Sequence, residues 1–373
     1  MRYRNIIDFY ILVNNLKDIK SYDEETVANH MYGAMMLAVA INSEYGVVDD
    51  LGLVIKDIVL KSLIKHNLDK VNQHFSSLEF DGYDSNKYKK VKEYIDLMKN
   101  VESVYSPYMN EDVLLAFESL RIENILSNSD NRYSLRFKVI DKAYSNFGPD
   151  YEFKESGLDH NKNENIMKFV SLNKKLKESV RTGWDDNHWN IIGKREKIAE
   201  HVIGTIGLAI ALDMYNDLEI DINKVVTMLA IHEVGEILIG DITPFDNVTK
   251  EEKMKIEHTA MEKVLECLKN KEELFNLLLE FDKQETNEAK FAHMCDKIEA
   301  DIQSKVYYEK GVHHTLNDQS NNVVFKSQKV KNMVNDGAKT PFDIWFQWDL
   351  PIYEESEVFT KTLVYVNQNN IRN

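Results

Sequence analysis

The segment Ala230-Ile231-His232-Glu233-Val234-Gly235-Glu236-Ile237-Leu238-Ile239-Gly240-Asp241 sets an imidazole and three carboxylates among residues that are otherwise almost all apolar. Val225, Val226, Met228 and Leu229 extend the apolar run upstream. Together with Ile231, Val234, Ile237, Leu238 and Ile239 they leave no polar stripe, so a helix here is expected to be buried on nearly every side. Burying even a neutral polar group without a partner costs about 2–7 kcal/mol, and an ion costs more. His232, Glu233 and Glu236 therefore need compensation, and one divalent cation satisfies them together.

Two other apolar segments supply further ligands. His201 is followed by Gly204, Thr205, Gly207 and Ala209, and Asp296 shares a helical stripe with Ala289, Ala292 and Ala300. Small residues beside a charged one let helices approach closely and bring their polar groups to one point. His201, His232, Glu233 and Asp296 form a mixed nitrogen and oxygen set suited to Mn²⁺, Co²⁺, Fe²⁺, Zn²⁺ or Mg²⁺. Glu236, four residues after His232, is expected on the same helix face, where a general acid or base would stand beside the cation. Taken singly, His201 reads as a hydrogen-bonded core histidine and Glu236 as the partner of a buried Lys or Arg. The order His, His-Glu, Asp, spread over three apolar segments, makes the metal reading the stronger one.

The 373 residues exceed one average domain, and 43% hydrophobic with 29% charged residues is ordinary for a chain that builds a core. A formal charge of −16 argues against a nucleic-acid surface. Cys267 and Cys295 both fall in helical patterns and read as reduced, buried thiols. No uninterrupted apolar run long enough for a membrane span stands out, and the N-terminus lacks a secretory pattern, so a cytoplasmic protein is expected. Five Pro, 14 Gly and apolar spacings of three and four residues favour an all-α fold.

The chain also repeats itself. Val27-Ala28-Asn29-His30-Met31-Tyr32-Gly33 matches Ile198-Ala199-Glu200-His201-Val202-Ile203-Gly204, Leu63-Ile64-Lys65-His66 matches Leu229-Ala230-Ile231-His232, and Val139-Ile140-Asp141-Lys142-Ala143 matches Met294-Cys295-Asp296-Lys297-Ile298. Three landmarks in one order point to a tandem duplication of a helical domain, with one copy over 1–160 and the second over 165–373.

These residues resemble the HD-domain metal-dependent phosphohydrolases, most of all the branch of bacterial 5′-deoxynucleotidases. His201, His232 and Asp296 match three ligand positions of the family pattern. Ala199-Glu200-His201, Glu236, Gly240-Asp241 and Arg181-Thr182-Gly183-Trp184 match features of the branch. The resemblance implies an all-α fold, Arg181 on the substrate phosphate and Trp184 against the base or sugar. It also implies Glu236 as the catalytic acid or base and Asp241 near the sugar or the attacking water. The implied activity is hydrolysis of a (deoxy)nucleoside 5′-monophosphate. Because the branch commonly forms homodimers, a homodimer or an intrachain pseudo-dimer is expected.

Glu233 departs from the family, which usually has Asp there. The first copy departs further: it keeps His30, His66 and Asp141, but Asn67 replaces the acid and Lys70 stands where Glu236 would be. An amide and an ammonium oppose a divalent cation, so this copy is expected to be catalytically degenerate, with Lys70 available as counter-ion to Asp141. Alternatives are hydrolysis of a phosphodiester or pyrophosphate, such as a cyclic nucleotide or an alarmone, and a non-catalytic nucleotide sensor. His232-Glu233 also begins a zinc-peptidase motif, but Glu236 stands where that motif needs its second His.

Overall fold

A computed structural model of the chain describes residues 2–21, 25–80, 111–127, 160–243, 245–246 and 248–372. Among these the regular elements are helices: α1 (Arg2–Asn14), α2 (Val27–Tyr45), α3 (Leu51–Phe80), α4 (Glu111–Ser127), α5 (His160–Glu178), α6 (Ile198–Tyr215) and α7 (Ile222–Ile231). They continue with α8 (Glu236–Ile239), α9 (Lys250–Leu265), α10 (Lys271–Lys283), α11 (Asn287–Lys310), α12 (Gln328–Asn335), α13 (Pro341–Asp349) and α14 (Glu357–Gln368). The all-α expectation holds. Asp141 and most of the expected boundary between copies lie outside the described residues.

Helix starts follow local chemistry. Thr26, Asp221, Thr249, Thr286 and Thr340 each accept a hydrogen bond from a backbone N–H of the turn they open. The connections before α2 and α6 are pinched alike, by single antiparallel bridges between Lys20 and Thr26 and between Val180 and Lys197.

Helix α6 is the hub. It packs on α1, α2, α7 and α11, which is why it is apolar all round: all its residues but Asp213 are buried. By length and composition α6 could cross a membrane, but its apolar surface is covered by neighbouring helices. Close approach is built into its glycines. A Cβ on Gly207 would stand 2.6 Å from Val13 of α1, and one on Gly204 would stand 2.1 Å from a carboxylate oxygen of Glu299 in α11.

The packing is reciprocal. As α1 lies on α6, so α5 lies on α2; as α11 lies on α6 and α7, so α4 lies on α2 and α3; and α2 and α6 meet each other. The two parts of the chain thus share one continuous core. A smaller cluster around Trp184, Trp189, Tyr307 and Ile344 closes over the loop between α5 and α6.

One expectation about the deciding segment is corrected. Helix α7 stops at Ile231, His232–Gly235 form a turn, and the short α8 begins at Glu236. Glu236 therefore does not share a continuous helix face with His232. Leu238, expected inside, is 45% exposed.

Candidate metal centre

Three elements bring His201, His232, Glu233 and Asp296 together, with one potential ligand atom of each within 4.8 Å of the others. His201 sits in the first turn of α6, His232 and Glu233 in the turn that ends α7, and Asp296 midway along α11. His201 Nε2 lies 2.9 Å from Asp296 Oδ1 and 3.7 Å from Glu233 Oε1. His232 Nε2 lies 3.4 Å from Glu233 Oε1 and 3.7 Å from Asp296 Oδ1. A cation bound at about 2.1 Å in tetrahedral array holds its donors about 3.4 Å apart, so these separations fit one ion.

The tautomers fit as well. His232 Nδ1 donates to the carbonyl of Leu229 at 2.7 Å, which turns the lone pair of Nε2 inward. That Nε2 is buried and has no hydrogen-bond partner, the kind of orphan that a metal bond resolves. His201 Nδ1 donates to Glu299 Oε2 at 2.6 Å, which likewise aims its Nε2 at the acids. Glu233 and Asp296 keep 13% side-chain exposure, so the cluster opens on their side.

The field is that of a cation site. Burial alone would lower the pKa of His232, but the carboxylate of Glu233, then that of Asp296, raise it to about 10. Burial opposes ionisation of Glu233, yet the imidazoles of His232 and His201 hold it at about 2. Asp296 is held well below the carboxylate range against its burial, by Lys297 and the same imidazoles. Groups arranged to favour positive charge provide the field a cation site needs.

Glu236 behaves in the opposite way. Its burial, then the charges of Glu233 and Asp241, push its pKa well above the usual carboxylate range, and its Oε2 is buried without a partner. A carboxyl whose proton is held this firmly beside the Glu233 carboxylate is the kind of group that serves as a proton donor.

Arg181 reaches His201 from behind: its Nη1 lies 2.7 Å from Nδ1, the nitrogen that also meets Glu299 Oε2. Burial disfavours its charge, but Asp241, Glu233, Glu196 and Asp296 more than restore it. Asp241 clamps the loop that carries Arg181, accepting from Thr182 N at 2.7 Å on its side chain and from Thr182 Oγ1 at 2.9 Å on its carbonyl. Trp184 is not brought to the cluster. It is 2% exposed, packed against Tyr307 and Trp345, and its Nε1 donates to Glu196 Oε2 at 3.1 Å.

Sequence reasoning missed what stands behind His201. Glu299 lies one helical turn after Asp296 on α11, a spacing that could have revealed it. Lys17 comes from the far end of the chain and donates to Glu299 Oε1 at 2.7 Å and Glu196 Oε1 at 2.5 Å. Lys253, on α9, was also missed; the acids Glu257, Glu233, Glu236 and Asp241 raise its pKa against partial burial, placing a cation near the opening.

The first part of the chain holds a second, different cluster. His30 Nδ1 meets Asp112 Oδ1 at 2.5 Å, and Lys177 of α5 donates to Asp112 Oδ2 at 3.0 Å and pairs with Glu25 at 2.6 Å. His66 does not join the group that could hold a metal there. Helix α3 is kinked at Asn67 (φ −142°, ψ 32°), the position aligned with Glu233. Lys70 is exposed, and its expected partner Asp141 lies outside the described residues; the buried ammonium beside His30 and Asp112 is that of Lys177.

Comparison with known proteins agrees with this architecture. The HD domain family matches residues 173–336. The chain is 34% identical over 160 residues to the 5′-deoxynucleotidase HDDC2 of Dictyostelium discoideum, covering 41% of this chain and 82% of that protein. It is 34% identical over 155 residues to the 5′-deoxynucleotidase hdd1 of Schizosaccharomyces pombe, covering 40% and 75%. With the human 5′-deoxynucleotidase HDDC2 it shares 29% identity over 144 residues, covering 38% and 68%. The chain belongs to the HD-domain family.

Proposed function

We propose that the protein is a metal-dependent phosphohydrolase that cleaves the phosphomonoester of (deoxy)nucleoside 5′-monophosphates at the His201–His232–Glu233–Asp296 cluster. The observation that carries this reading is the convergence of two imidazoles and two carboxylates on one point, with the buried Nε2 of His232 lacking a hydrogen-bond partner. The names of the relatives supply the substrate class. A divalent cation held by these four residues would supply Lewis-acid polarisation of the phosphoryl group and of water.

The remaining steps belong to side chains. Arg181 neutralises phosphate charge and orients the group for in-line attack. Glu236, whose pKa is raised in its buried place, gives its proton to the departing 5′ oxygen; the attacking water's protons stay on the newly formed phosphate, which returns one to Glu236 as nucleoside and phosphate leave. Asp241 holds the Arg181 loop through Thr182, and Trp184 anchors that loop from behind, through Glu196. Glu233, one methylene longer than the family's usual Asp, reaches the cluster because α7 has already ended.

We read the reciprocal packing and the two matching pinches as the trace of a duplication, the first copy keeping His66 outside the His30 group and carrying Asn67 in place of the acid. That copy carries no turnover and stands where a second subunit would.

The test is phosphate release from a panel of nucleoside and deoxynucleoside 5′-monophosphates, cyclic nucleotides and pyrophosphate-bearing nucleotides, with added Mn²⁺ or Co²⁺ and with chelator. Metal-dependent release from the monophosphates is expected. Cleavage of only the diesters or pyrophosphates would contradict the substrate reading, and no turnover with bound metal would contradict the enzyme.

A further inference from the structure

The buried polar network behind His201 does not end within the HD-matching part of the chain. Glu299 Oε2 receives the Nδ1 proton of His201, and its other oxygen, Oε1, receives two donors from the first seventeen residues: Lys17 Nζ at 2.7 Å and Tyr10 hydroxyl at 2.8 Å. Lys17 also pairs with Glu196, whose backbone N–H donates to the Tyr307 hydroxyl at 2.8 Å and whose second oxygen holds Trp184. Lys17, Tyr10, Glu196 and Glu299 are each 5% exposed or less. An ammonium at that depth is expensive unless geometry and charge are satisfied, and here two carboxylates satisfy it.

We propose that Lys17, with Tyr10, is a positioning residue of the metal centre: by fixing Glu299 it fixes the imidazole of His201, so the N-terminal part of the chain completes the site of the C-terminal part. The ring of a metal-ligating histidine is oriented by what its other nitrogen donates to, and that partner is only as fixed as its own bonds. Glu299 lies on α11 and His201 on α6, and both bonds to Glu299 Oε1 come from the segment formed by α1 and the turn after it. The exchange runs both ways, because Lys177 of α5 pairs in the same manner with Glu25 and Asp112, and Asp112 holds His30. Lys177 thus supplies a control, a buried lysine likewise held by two carboxylates, neither of them in the metal centre.

This inference rests on the metal reading above, and its test separates the two. Purified full-length wild type, Lys17→Met, Tyr10→Phe and Lys177→Met are titrated with Co²⁺, following affinity calorimetrically and the visible absorption of the bound ion. Lys17→Met is expected to bind Co²⁺ about 10–100-fold more weakly, the range for removing a group that orients a ligand, with a shifted absorption band. Tyr10→Phe should weaken it several-fold in the same direction, and Lys177→Met should leave affinity and band unchanged. Should Lys17→Met fail to fold, Tyr10→Phe, which deletes one oxygen, decides the matter. Wild-type affinity and spectrum in both Lys17→Met and Tyr10→Phe would overturn this inference alone. A wild-type protein that takes up no Co²⁺ would overturn the metal reading and this inference together.

Discussion

Replacing Gly204 by Ala puts one methyl group where the structure has no room for it. A Cβ there would lie 2.1 Å from Glu299 Oε1 and 2.7 Å from Lys17 Nζ. The first distance falls 1.3 Å short of the 3.4 Å at which ordinary contact begins. Neither group is the loose end of an exposed side chain, since both are held in the ion pair behind His201. Moving the carboxylate far enough breaks at least one charge-assisted hydrogen bond, about 1.5–3 kcal/mol, and overpacks the α6–α11 contact at about 1–3 kcal/mol. The helix regains about 1 kcal/mol from Gly→Ala. The net loss is about 1.5–5 kcal/mol, or roughly 2–6 °C in Tm for a chain of this size. Metal affinity should fall at least about tenfold, because the His201 imidazole loses its fixed acceptor. Gly33→Ala is the internal comparison, since its Cβ would stand 1.7 Å from Asp112 Oδ2. It should cost similar stability and leave metal affinity intact. Calorimetric melting with Mn²⁺ titration of both variants checks this. A Gly204→Ala protein with the melting temperature and Mn²⁺ affinity of the wild type would refute the reasoning.

Other outcomes follow from the same geometry. Glu236→Gln should retain bound metal and lose about 10²–10⁴-fold in kcat, the usual contribution of a positioned proton donor; unchanged kcat would remove Glu236 from the chemistry. Arg181→Met should raise KM for a nucleoside monophosphate at least about tenfold and weaken inhibition by inorganic phosphate, both read by steady-state kinetics; an unaltered KM would separate Arg181 from the phosphate. His74, far from the metal centre, pairs with the Tyr215 hydroxyl at 2.5 Å, and burial lowers its pKa to about 4. A depressed folded-state pKa means the unfolded chain binds the proton more readily, so this contribution is present above about pH 6.5 and is lost as pH falls toward 4. The loss should reach about 2 kcal/mol by pH 5, seen as a steeper fall in stability for wild type than for His74→Phe in denaturant titrations at pH 7 and 5. Parallel falls would contradict it.

Much of the centre was legible because its residue types are costly where they stand. A His-Glu pair in an apolar run, a His followed by small residues and an Asp on an alanine stripe each signal buried charge, and burial forces such groups together. The helical class was legible from spacing and the scarcity of Gly and Pro. The break after Ile231 was not. Nothing in a continuous apolar run marks where a helix gives way, and Gly235 alone is a weak signal. The exposure of Leu238 also escaped, since it is as apolar as its buried neighbours. Lys17 and Glu299 are separated by 282 residues in sequence, and an unremarkable lysine at a helix end announces no partner at that distance. Trp184 was expected at the substrate because the resemblance put it there. Its place among Tyr307 of α11 and Trp345 of α13 depends on long-range packing that the local sequence does not encode.

The central claim is that one divalent cation binds where α6, the turn after α7 and α11 meet. Crystals of the full chain grown with Mn²⁺, with anomalous diffraction recorded at the manganese edge, test it most directly. The expected result is one strong peak per chain within bonding distance of His201, His232, Glu233 and Asp296, with no peak at His30 and Asp112. A peak at the His30 group alone, or none anywhere at saturating Mn²⁺, would contradict it.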